Sequence, residues 1–450
     1  MINPLTSPLL ADLYQLTMLN GYIEEGMADE AVFEFYVRKL PESRGFLLAA
    51  GLESCLTFLE NLHFTPEEIE YLDQTGRFCS RLLNYLADFR FDGDVHAMPE
   101  GTVFFQNEPV VRITAPLPAA QLIETRLINL LQIETLILSK AARCVLSAAG
   151  RASLVDFGVR RAHGAEAGLL AARASYIAGF AGTSLVIAEP LYGIPIFGTM
   201  AHSYVEAHEK EEEAFLAFCR SNPDNTTLLI DTYNTIHGAR KAAEAAKQLA
   251  KEGIRVLAVR LDSGDILCLS REVRRILDGE GLQDVRILVS GNMDEFAIKD
   301  LLDNGAPVNY FGIGTRMDTS ADAPYLECAY KLMEYAGRPR LKKSSDKATL
   351  PGRKQVFRQL NNGRIAKDVV AIEGEHISGV VLIKKVMECG KRTAPARNLN
   401  DIRIYTAEQL ASLPENLKEI GSTPPCPVDI SPALYELQTK TEAALLRNSC

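Results

Sequence analysis

The sequence predicts an α/β protein with a parallel β/α barrel at its centre and a separate α+β domain formed by its flanks. Between about residues 150 and 320, short apolar runs alternate with stretches rich in Ala, Leu, Glu and Lys, a pattern typical of parallel βαβ units. Polar markers follow four of these runs and are spaced by 31, 28 and 24 residues. These spacings are close to the ~30 residues of one βα unit of a barrel. The four markers are Asp231, Asp262, Ser290 and Gly314.

Length and composition agree with a large globular chain. At 450 residues and 49.5 kDa, the chain exceeds one ordinary domain but fits a barrel of ~250 residues with an accessory domain. A hydrophobic content of 47% supports a large core and excludes a generally disordered or fibrous protein. The net charge of −10 provides no general attraction to nucleic acid or anionic membranes. An anionic substrate therefore requires a local basic site.

The nine cysteines are scattered and never form a CxxC pair, which argues against a disulfide framework and a zinc knuckle. The N-terminal stretch lacks the basic start of a secretory signal, and no uncharged apolar run reaches the ~18 residues of a membrane span. We therefore expect a cytoplasmic protein.

The central part contains seven predicted strands and five predicted helical stretches. Because the carboxyl ends of parallel strands meet at one edge of a sheet, the polar residues after these strands should gather there and form a site. The predicted strands are 152–157, 185–187, 194–197, 227–230, 256–261, 285–289 and 308–312. The predicted helical stretches are 165–178, 203–220, 235–251, 265–278 and 293–304.

The flanks have a mixed α+β pattern. Strands are predicted within residues 30–115, a long helical region over 122–149, and a hairpin around the NNG of 361–363. The predicted domains are therefore 1–125 (N-terminal α+β), 126–330 (barrel with the site) and 331–450, the last partly returning to the first domain.

Three segments carry candidate chemistry. Residues 156–161, DFGVRR, end a strand with a ring that can stack on a flat ligand and two guanidinium groups suited to carboxylate or phosphate. A buried Phe with surface arginines is the alternative. Residues 198–203, GTMAHS, place a Thr and His202 at a strand-to-helix turn, where an anion can bind. His202 suits a base, a metal ligand or a nucleophile toward phosphorus, and a purely structural histidine is the alternative. His208 and the mostly acidic run after it suggest a metal site, but their spacing favours a solvated helix face.

The third segment comprises the later strand ends. Asp231 and Asp262 each follow an apolar run, where carboxylates bind vicinal ribose hydroxyls or hold Mg²⁺ through water. Helix N-caps are the alternative for Asp231 and Asp265. Residues 290–292 and 312–316 end the next two strands, and the second turn lets backbone N–H groups approach a phosphate.

Together these residues resemble the nicotinate phosphoribosyltransferase family over nearly the whole chain. The resemblance implies the irregular TIM-like (β/α) barrel of type II phosphoribosyltransferases with an α+β accessory domain. It also implies that nicotinate, phosphoribosyl pyrophosphate, ATP and water give nicotinate mononucleotide, pyrophosphate, ADP and phosphate, a step of NAD biosynthesis. The matching motifs are DLYQLTM at 12–18, DFGVRRAHG at 156–164, GTMAHS at 198–203, LIDTYNT at 229–235, VRLDSGD at 259–265 and GIGT at 312–315.

The resemblance also implies the roles of individual residues. Its catalytic residues are His202 (phosphorylated by ATP), Asp262 and Arg260. Nicotinate is expected near Tyr14, Phe157, Thr199 and Arg260, with Tyr14 supplied by the neighbouring subunit of a homodimer. The phosphoribosyl group is expected at Arg161, Asp262, Ser290, Gly291, Gly312, Gly314 and Thr315. ATP is a co-substrate, and Mg²⁺ arrives with the phosphorylated substrates, so we expect no metal site of the protein's own, no nucleic acid and no membrane partner.

Three rival functions remain for comparison. A nicotinamide phosphoribosyltransferase shares the barrel and the phosphorylated histidine, but GTMAHS resembles the nicotinate branch. A non-catalytic barrel that binds pyridine nucleotides would tolerate loss of His202. An aldolase or isomerase finds no support, because no buried Lys is predicted at a suitable strand end. A Rossmann-like phosphoribosyltransferase is rejected because LIDTYNT has one acid where that class has two adjacent acids.

Overall fold

The structure, a computed structural model, describes residues 2, 5–344, 347–421 and 423–448, and the side chains of 446 and 448 are not described. It divides into two compact units: Met1–Leu136 with Tyr325–Cys450, and Ile137–Pro324. The predicted divisions, after residues 125 and 330, lie near these. The first observed division falls inside a long helix, which a periodic pattern of apolar residues cannot subdivide.

The helices and strands follow in chain order. The N-terminal part contains α1 (Leu13–Glu24), β1 (Glu30–Val37), β2 (Leu47–Leu48), α2 (Leu52–Asn61), α3 (Pro66–Gln74), α4 (Ser80–Ala87), β3 (Asp94–Ala97), β4 (Val103–Phe104), β5 (Val111–Pro116), α5 (Leu117–Leu122) and α6 (Glu124–Ala148). The central part contains β6 (Ser153–Asp156), a 3₁₀ turn (Val159–Arg161), α7 (Ala165–Ala178), β7 (Gly182–Thr183), α8 (Ala188–Tyr192), α9 (His202–Glu206), α10 (Glu211–Ser221), β8 (Thr227–Leu229), α11 (Thr235–Lys251), β9 (Ala258–Leu261), α12 (Ile266–Gly279), β10 (Arg286–Val289), α13 (Glu295–Asp303), β11 (Tyr310–Ile313) and α14 (Thr315–Asp318). The C-terminal part contains β12 (Cys328–Tyr335), β13 (Arg338–Pro339), β14 (Lys354–Asn361), β15 (Arg364–Ile372), β16 (Val380–Val381), β17 (Lys384–Glu388), β18 (Lys391–Arg392), α15 (Leu399–Ala411), α16 (Glu415–Lys418), β19 (Val428–Ile430) and α17 (Pro432–Asn448).

The first unit joins both ends of the chain in one sheet, of order β13-β12-β1-β5-β3-β17-β18. Strand β1 is buried from Ala31 to Val37 and pairs antiparallel with β5 on one side and β12 on the other. A second sheet, of order β16-β14-β15-β19, contains the hairpin predicted around NNG. Asn362 (φ 49°) and Gly363 (φ 77°) both take the left-handed conformation that a two-residue hairpin turn requires.

The second unit is built on a parallel six-stranded sheet of order β7-β6-β11-β10-β9-β8. Its strands are short and mostly buried, as expected where helices cover a parallel sheet. This confirms the predicted α/β class. Among the described residues no strand pairing joins β7 to β8, so the ladder is open at these edges and pairing does not close the predicted barrel.

Two predicted elements of this unit were wrong. Residues 185–187 form a turn before α8, and 194–197 contribute one isolated bridge, between Thr183 and Ile196. The edge strand is instead β7, which lacks an apolar signal because a side chain at Gly182 would meet the Pro195 carbonyl oxygen at 2.1 Å. The predicted helix 203–220 is split into α9 and α10. Lys210 is extended before α10, and the three glutamates that follow suit a new helix N-terminus.

In the described part of the chain, every helix is too short or too polar to cross a bilayer.

Candidate active site

The carboxyl edge of the second unit's sheet borders a cavity of about 460 Å³. Its walls come from the turns after β6, β9, β10 and β11 and from the segment that leads into α9. Every site residue predicted in this unit lines it: Phe157, Arg161, Thr199, His202, Arg260, Asp262, Ser290, Gly291, Gly312, Gly314 and Thr315. Tyr14, the remaining one, lies on α1 of the first unit with 46% of its surface exposed. Convergence of the strand ends therefore brings together residues far apart in sequence.

Arg260, on β9, is held by contacts on several sides. Its Nε donates to the Ser290 hydroxyl at 2.7 Å, and Nη2 donates to Asp262 Oδ1 at 2.7 Å. Nη1 donates to the Thr199 hydroxyl at 3.1 Å and to the Met200 carbonyl at 3.4 Å. The guanidinium also lies 5.7 Å from the centre of the Phe157 ring. A guanidinium has five N–H donors, so these four contacts fix its plane and leave capacity for a ligand.

Asp262 is the electrostatic centre of the cavity. Burial alone would raise its pKa, but the hydrogen bond from Ser290 and the charge and hydrogen bond of Arg260 outweigh it and hold the pKa below its usual value. Oδ1 takes both of these bonds, and Oδ2 accepts no hydrogen bond from the residues described. The backbone N–H of Asp262 donates to Asp231 Oδ2 at 2.8 Å. The carboxylate is thus ionised and rigid, with one oxygen left for a ligand.

His202 is the first residue of α9, and its side chain is 39% exposed. Its Nδ1 lies 3.1 Å from the Thr232 hydroxyl, and its Nε2 lies 4.0 Å from Asp262 Oδ2. Thr232 therefore fixes the ring through one nitrogen and leaves the other facing the Asp262 side. His208 bonds through Nδ1 to the Tyr204 carbonyl at 2.8 Å. The described residues include no cluster of three or more side chains suited to hold a metal.

The two candidate capping aspartates differ in role. Asp265 caps α12 by accepting from the Cys268 N–H at 3.1 Å, as its alternative interpretation stated. Asp231 is not a cap, because Asn234 caps α11. Instead, Asp231 Oδ2 holds the turn after β9 through Asp262 and the Ser263 hydroxyl. Its Oδ1 is buried and has no hydrogen-bond partner among the described residues.

The glycines of the site have packing roles that the sequence did not reveal. A side chain at Gly312 would lie 2.4 Å from the Phe157 ring, and one at Gly314 would lie 3.0 Å from the Phe157 carbonyl oxygen. At Gly291, where φ is +86°, it would lie 2.1 Å from the Asp262 carbonyl oxygen. These glycines let the turns after neighbouring strands pack against one another, which shapes the cavity floor.

Sequence reasoning missed several residues that line the cavity. Arg160 could have been included, because it lies beside Arg161 in a motif already noted. The others contribute small side chains or backbone and carry no chemical signal in the sequence. The missed lining residues are Arg160, Ser184, Gly198, Met200, Ala201, Leu229 and Asn292.

Comparisons with known proteins all lead to one family. Three models match the chain: the nicotinate phosphoribosyltransferase N-terminal domain at 9–132, the nicotinate phosphoribosyltransferase family at 152–350, and its C-terminal domain at 375–438. A nicotinate phosphoribosyltransferase of Mycobacterium tuberculosis is 45% identical over 416 residues, covering 92% of this chain and 89% of the relative. A nicotinate phosphoribosyltransferase of Bacillus subtilis is 34% identical, covering 94% and 92%. The crystal structure of human nicotinic acid phosphoribosyltransferase aligns with a TM-score of 0.86 at 28% identity, covering 95% of this chain and 99% of that one.

Proposed function

The chain belongs to the nicotinate phosphoribosyltransferase family, and from this premise we propose how its cavity joins nicotinate to a phosphoribosyl group. The enzyme acts in NAD biosynthesis, transferring the phosphoribosyl group of phosphoribosyl pyrophosphate to nicotinate and releasing pyrophosphate. The observation that carries the proposal is the rigid cluster of Arg260, Asp262 and Ser290 beside the Phe157 ring. It places one cation and one anion, both fixed in position, at the wall of a single cavity.

Nicotinate binds with its carboxylate at Arg260 and its ring on Phe157. The Arg260 N–H capacity that remains, together with the Thr199 hydroxyl, holds the carboxylate through charge-assisted hydrogen bonds. Tyr14 of a neighbouring subunit covers the other face of the pyridine ring. Its exposure on α1 supports this role, because an aromatic ring open to solvent is available to a partner.

The phosphoribosyl group lies across the later strand ends. Asp262 Oδ2 accepts from the ribose hydroxyls and offsets the positive charge that develops on the ring as the bond to pyrophosphate breaks. Arg161, Ser290, Gly291, Gly312, Gly314 and Thr315 surround the phosphate. Mg²⁺ arriving with the substrate finds carboxylate oxygens at Asp262 Oδ2 and at Asp231, whose Oδ1 is buried without a partner. That ion supplies charge neutralisation for the departing pyrophosphate.

ATP drives the transfer through His202. The Nε2 lone pair attacks the γ-phosphorus of ATP, so that an N–P bond forms while the bond from phosphorus to the ADP oxygen breaks. Water later cleaves the N–P bond and releases phosphate. Thr232 holds Nδ1 and so presents Nε2 for this exchange. The phosphorylated state strengthens binding of phosphoribosyl pyrophosphate, and its hydrolysis loosens the products.

The barrel, the assembly and the location belong to the same proposal. The open sheet of the second unit is part of an irregular TIM-like barrel of the type II phosphoribosyltransferases, supported by the TM-score of 0.86 to the human enzyme. A homodimer with shared sites is supported by an exposed apolar stretch between Val186 and Phe197, with Val186 69% exposed. The eight described cysteines are free thiols, which suits a cytoplasmic enzyme.

Two measurements test the proposal. In a competition assay, nicotinate should be converted in preference to nicotinamide, and preferential use of nicotinamide would contradict the role of Arg260. After incubation with γ-labelled ATP, an acid-labile label should appear on the native enzyme and be absent from His202→Ala. Equal labelling of both proteins would remove His202 from the coupling step.

A further inference from the structure

Two buried aspartates lie directly behind the turns that form the cavity wall. Asp156 ends β6 and precedes Phe157, and Asp318 ends α14, the short helix that begins at Thr315. Asp156 is fully buried and Asp318 is 1% exposed. The roles proposed above use neither residue, although buried carboxyl groups are costly unless they are paired or hydrogen-bonded.

Asp156 organises the turn that carries Phe157. Its Oδ1 accepts the Gly158 N–H at 2.8 Å, and its Oδ2 accepts the Thr183 hydroxyl at 2.6 Å. Its backbone carbonyl accepts the N–H of Ser184, which lines the cavity, at 2.8 Å. One side chain therefore fixes the 3₁₀ turn after β6 against the edge strand β7.

Asp318 reaches the same turn from the other side. A side chain at Gly158 would lie 2.2 Å from the carboxyl carbon of Asp318, so glycine is needed there to admit the carboxyl group. Neither Asp318 oxygen accepts a hydrogen bond from an N–H or O–H group of another described residue. The carboxyl group instead lies in hydrogen-bonding contact with Asp156.

Such a pair needs a proton between its members. Two ionised carboxylates in contact and away from water would repel each other, whereas one shared proton converts the repulsion into a hydrogen bond. Burial, with the charge of Asp156 adding to it, raises the pKa of Asp318 to about 9. For Asp156, burial raises the pKa and the bonds from Thr183 and Gly158 oppose that rise. At neutral pH, Asp318 is therefore the donor and Asp156 the acceptor.

We propose that Asp318 is a positioning residue, whose protonated carboxyl group donates to Asp156 and thereby locks the Phe157 turn to the Thr315 turn. The parallel pairing of β6 with β11 brings these turns together, and the Phe157 N–H donates to the Ile313 carbonyl at 2.7 Å. The lock fixes the spacing between the surface that stacks on nicotinate and the surface that holds the sugar phosphate. The inference rests on the proposed binding mode of these two substrates.

The test compares Asp318→Ala and Asp318→Asn in steady-state kinetics. The amide of Asn keeps a donor toward Asp156, so Asp318→Asn should stay within about twofold of the native KM for both substrates. Loss of the donor in Asp318→Ala should raise both KM values roughly tenfold, as expected for one hydrogen bond at a buried charged acceptor. Asp284→Asn, at an 86% exposed side chain, is the matched control and should match the native enzyme. Equal behaviour of the Ala and Asn variants, or an unchanged KM in a folded Ala variant, would overturn the proposal.

A second measurement covers the case in which Asp318→Ala does not fold. The KM for nicotinate is compared at pH 7 and pH 9.5 in the native enzyme and in Asp318→Asn. The native enzyme should lose affinity at the higher pH as the shared proton leaves, while the Asn variant should lose less. Parallel losses in both would refute the lock. A native enzyme that does not convert nicotinate at all would instead refute the proposed function.

Discussion

Arg260 illustrates how much a single residue revealed in advance. Its place at a strand end beside an acid indicated an anion site, and the structure places it in the cavity wall. Its bonds to Ser290 and the Met200 carbonyl could not be predicted, because they join segments separated by long stretches of chain. Periodicity predicts which residues gather at an edge of a sheet, whereas hydrogen-bond partners depend on the exact loop paths.

Replacing Arg260 should impair nicotinate binding most. Arg260→Ala removes a charge-assisted pair worth ~1.5 to 3 kcal/mol, so the KM for nicotinate should rise roughly 10- to 150-fold. Arg260→Lys keeps the charge but loses the fork that contacts Ser290 and Asp262, and should recover only part of the affinity. Arg255→Ala, in an exposed ion pair with Asp284, serves as the control. A nicotinate KM unchanged in Arg260→Ala would place the carboxylate elsewhere.

Thr232 should affect the energy-coupling step. Thr232→Val preserves shape but removes the hydroxyl that holds His202 Nδ1. We expect the initial rate of acid-labile labelling by γ-labelled ATP to fall about five- to tenfold, in keeping with ~1 kcal/mol for one hydrogen bond. Thr439→Val, on the exposed face of α17, should label normally. Normal labelling of the Thr232 variant would show that the ring needs no such support.

At the scale of elements, strong local patterns were reliable and weak ones were not. Helices α7 and α11 have the predicted bounds, and the Asn234 side chain accepts the His237 N–H at 2.9 Å to begin α11. Strand β7 was missed because its two residues, Gly and Thr, give no apolar signal, and only contact with the neighbouring segment reveals it. The Asp156–Asp318 pair is another such case, since nothing in the sequence shows that two separate turns share a proton.

This pair should leave a mark on the pH dependence of stability. Asp318 has an ordinary pKa near 3.8 when unfolded and about 9 when folded, so the unfolded chain releases its proton first as the pH rises. Stability from this group is therefore complete below pH ~4 and is lost progressively up to pH ~9, by at most ~1.4 kcal/mol per pH unit. Urea unfolding at pH 5, 7 and 9 should show Asp318→Asn gaining on the native enzyme as the pH rises. A constant difference between them would contradict the shared proton.

At the scale of the whole molecule, a shared active site has a direct signature. Tyr14→Ala and Asp262→Ala should each be nearly inactive alone. If the partner's Tyr14 completes each cavity, a mixed dimer of the two variants contains one intact site, so random exchange should restore about a quarter of native activity. Size-exclusion chromatography of tagged subunits would verify exchange. Mixed dimers without recovered activity would place Tyr14 and Asp262 of one site on the same subunit.

The pairing of β1 with β12 has a consequence for how the protein is made. Strand β1 leaves the ribosome early, yet one of its edges finds its partner only after the whole second unit has been synthesised. The second unit is continuous in sequence and can complete its sheet first, while the apolar β1 still offers an unpaired edge to other chains. Nascent chains of this enzyme should therefore depend on chaperones until β12 emerges, and stalled or truncated products should aggregate through β1.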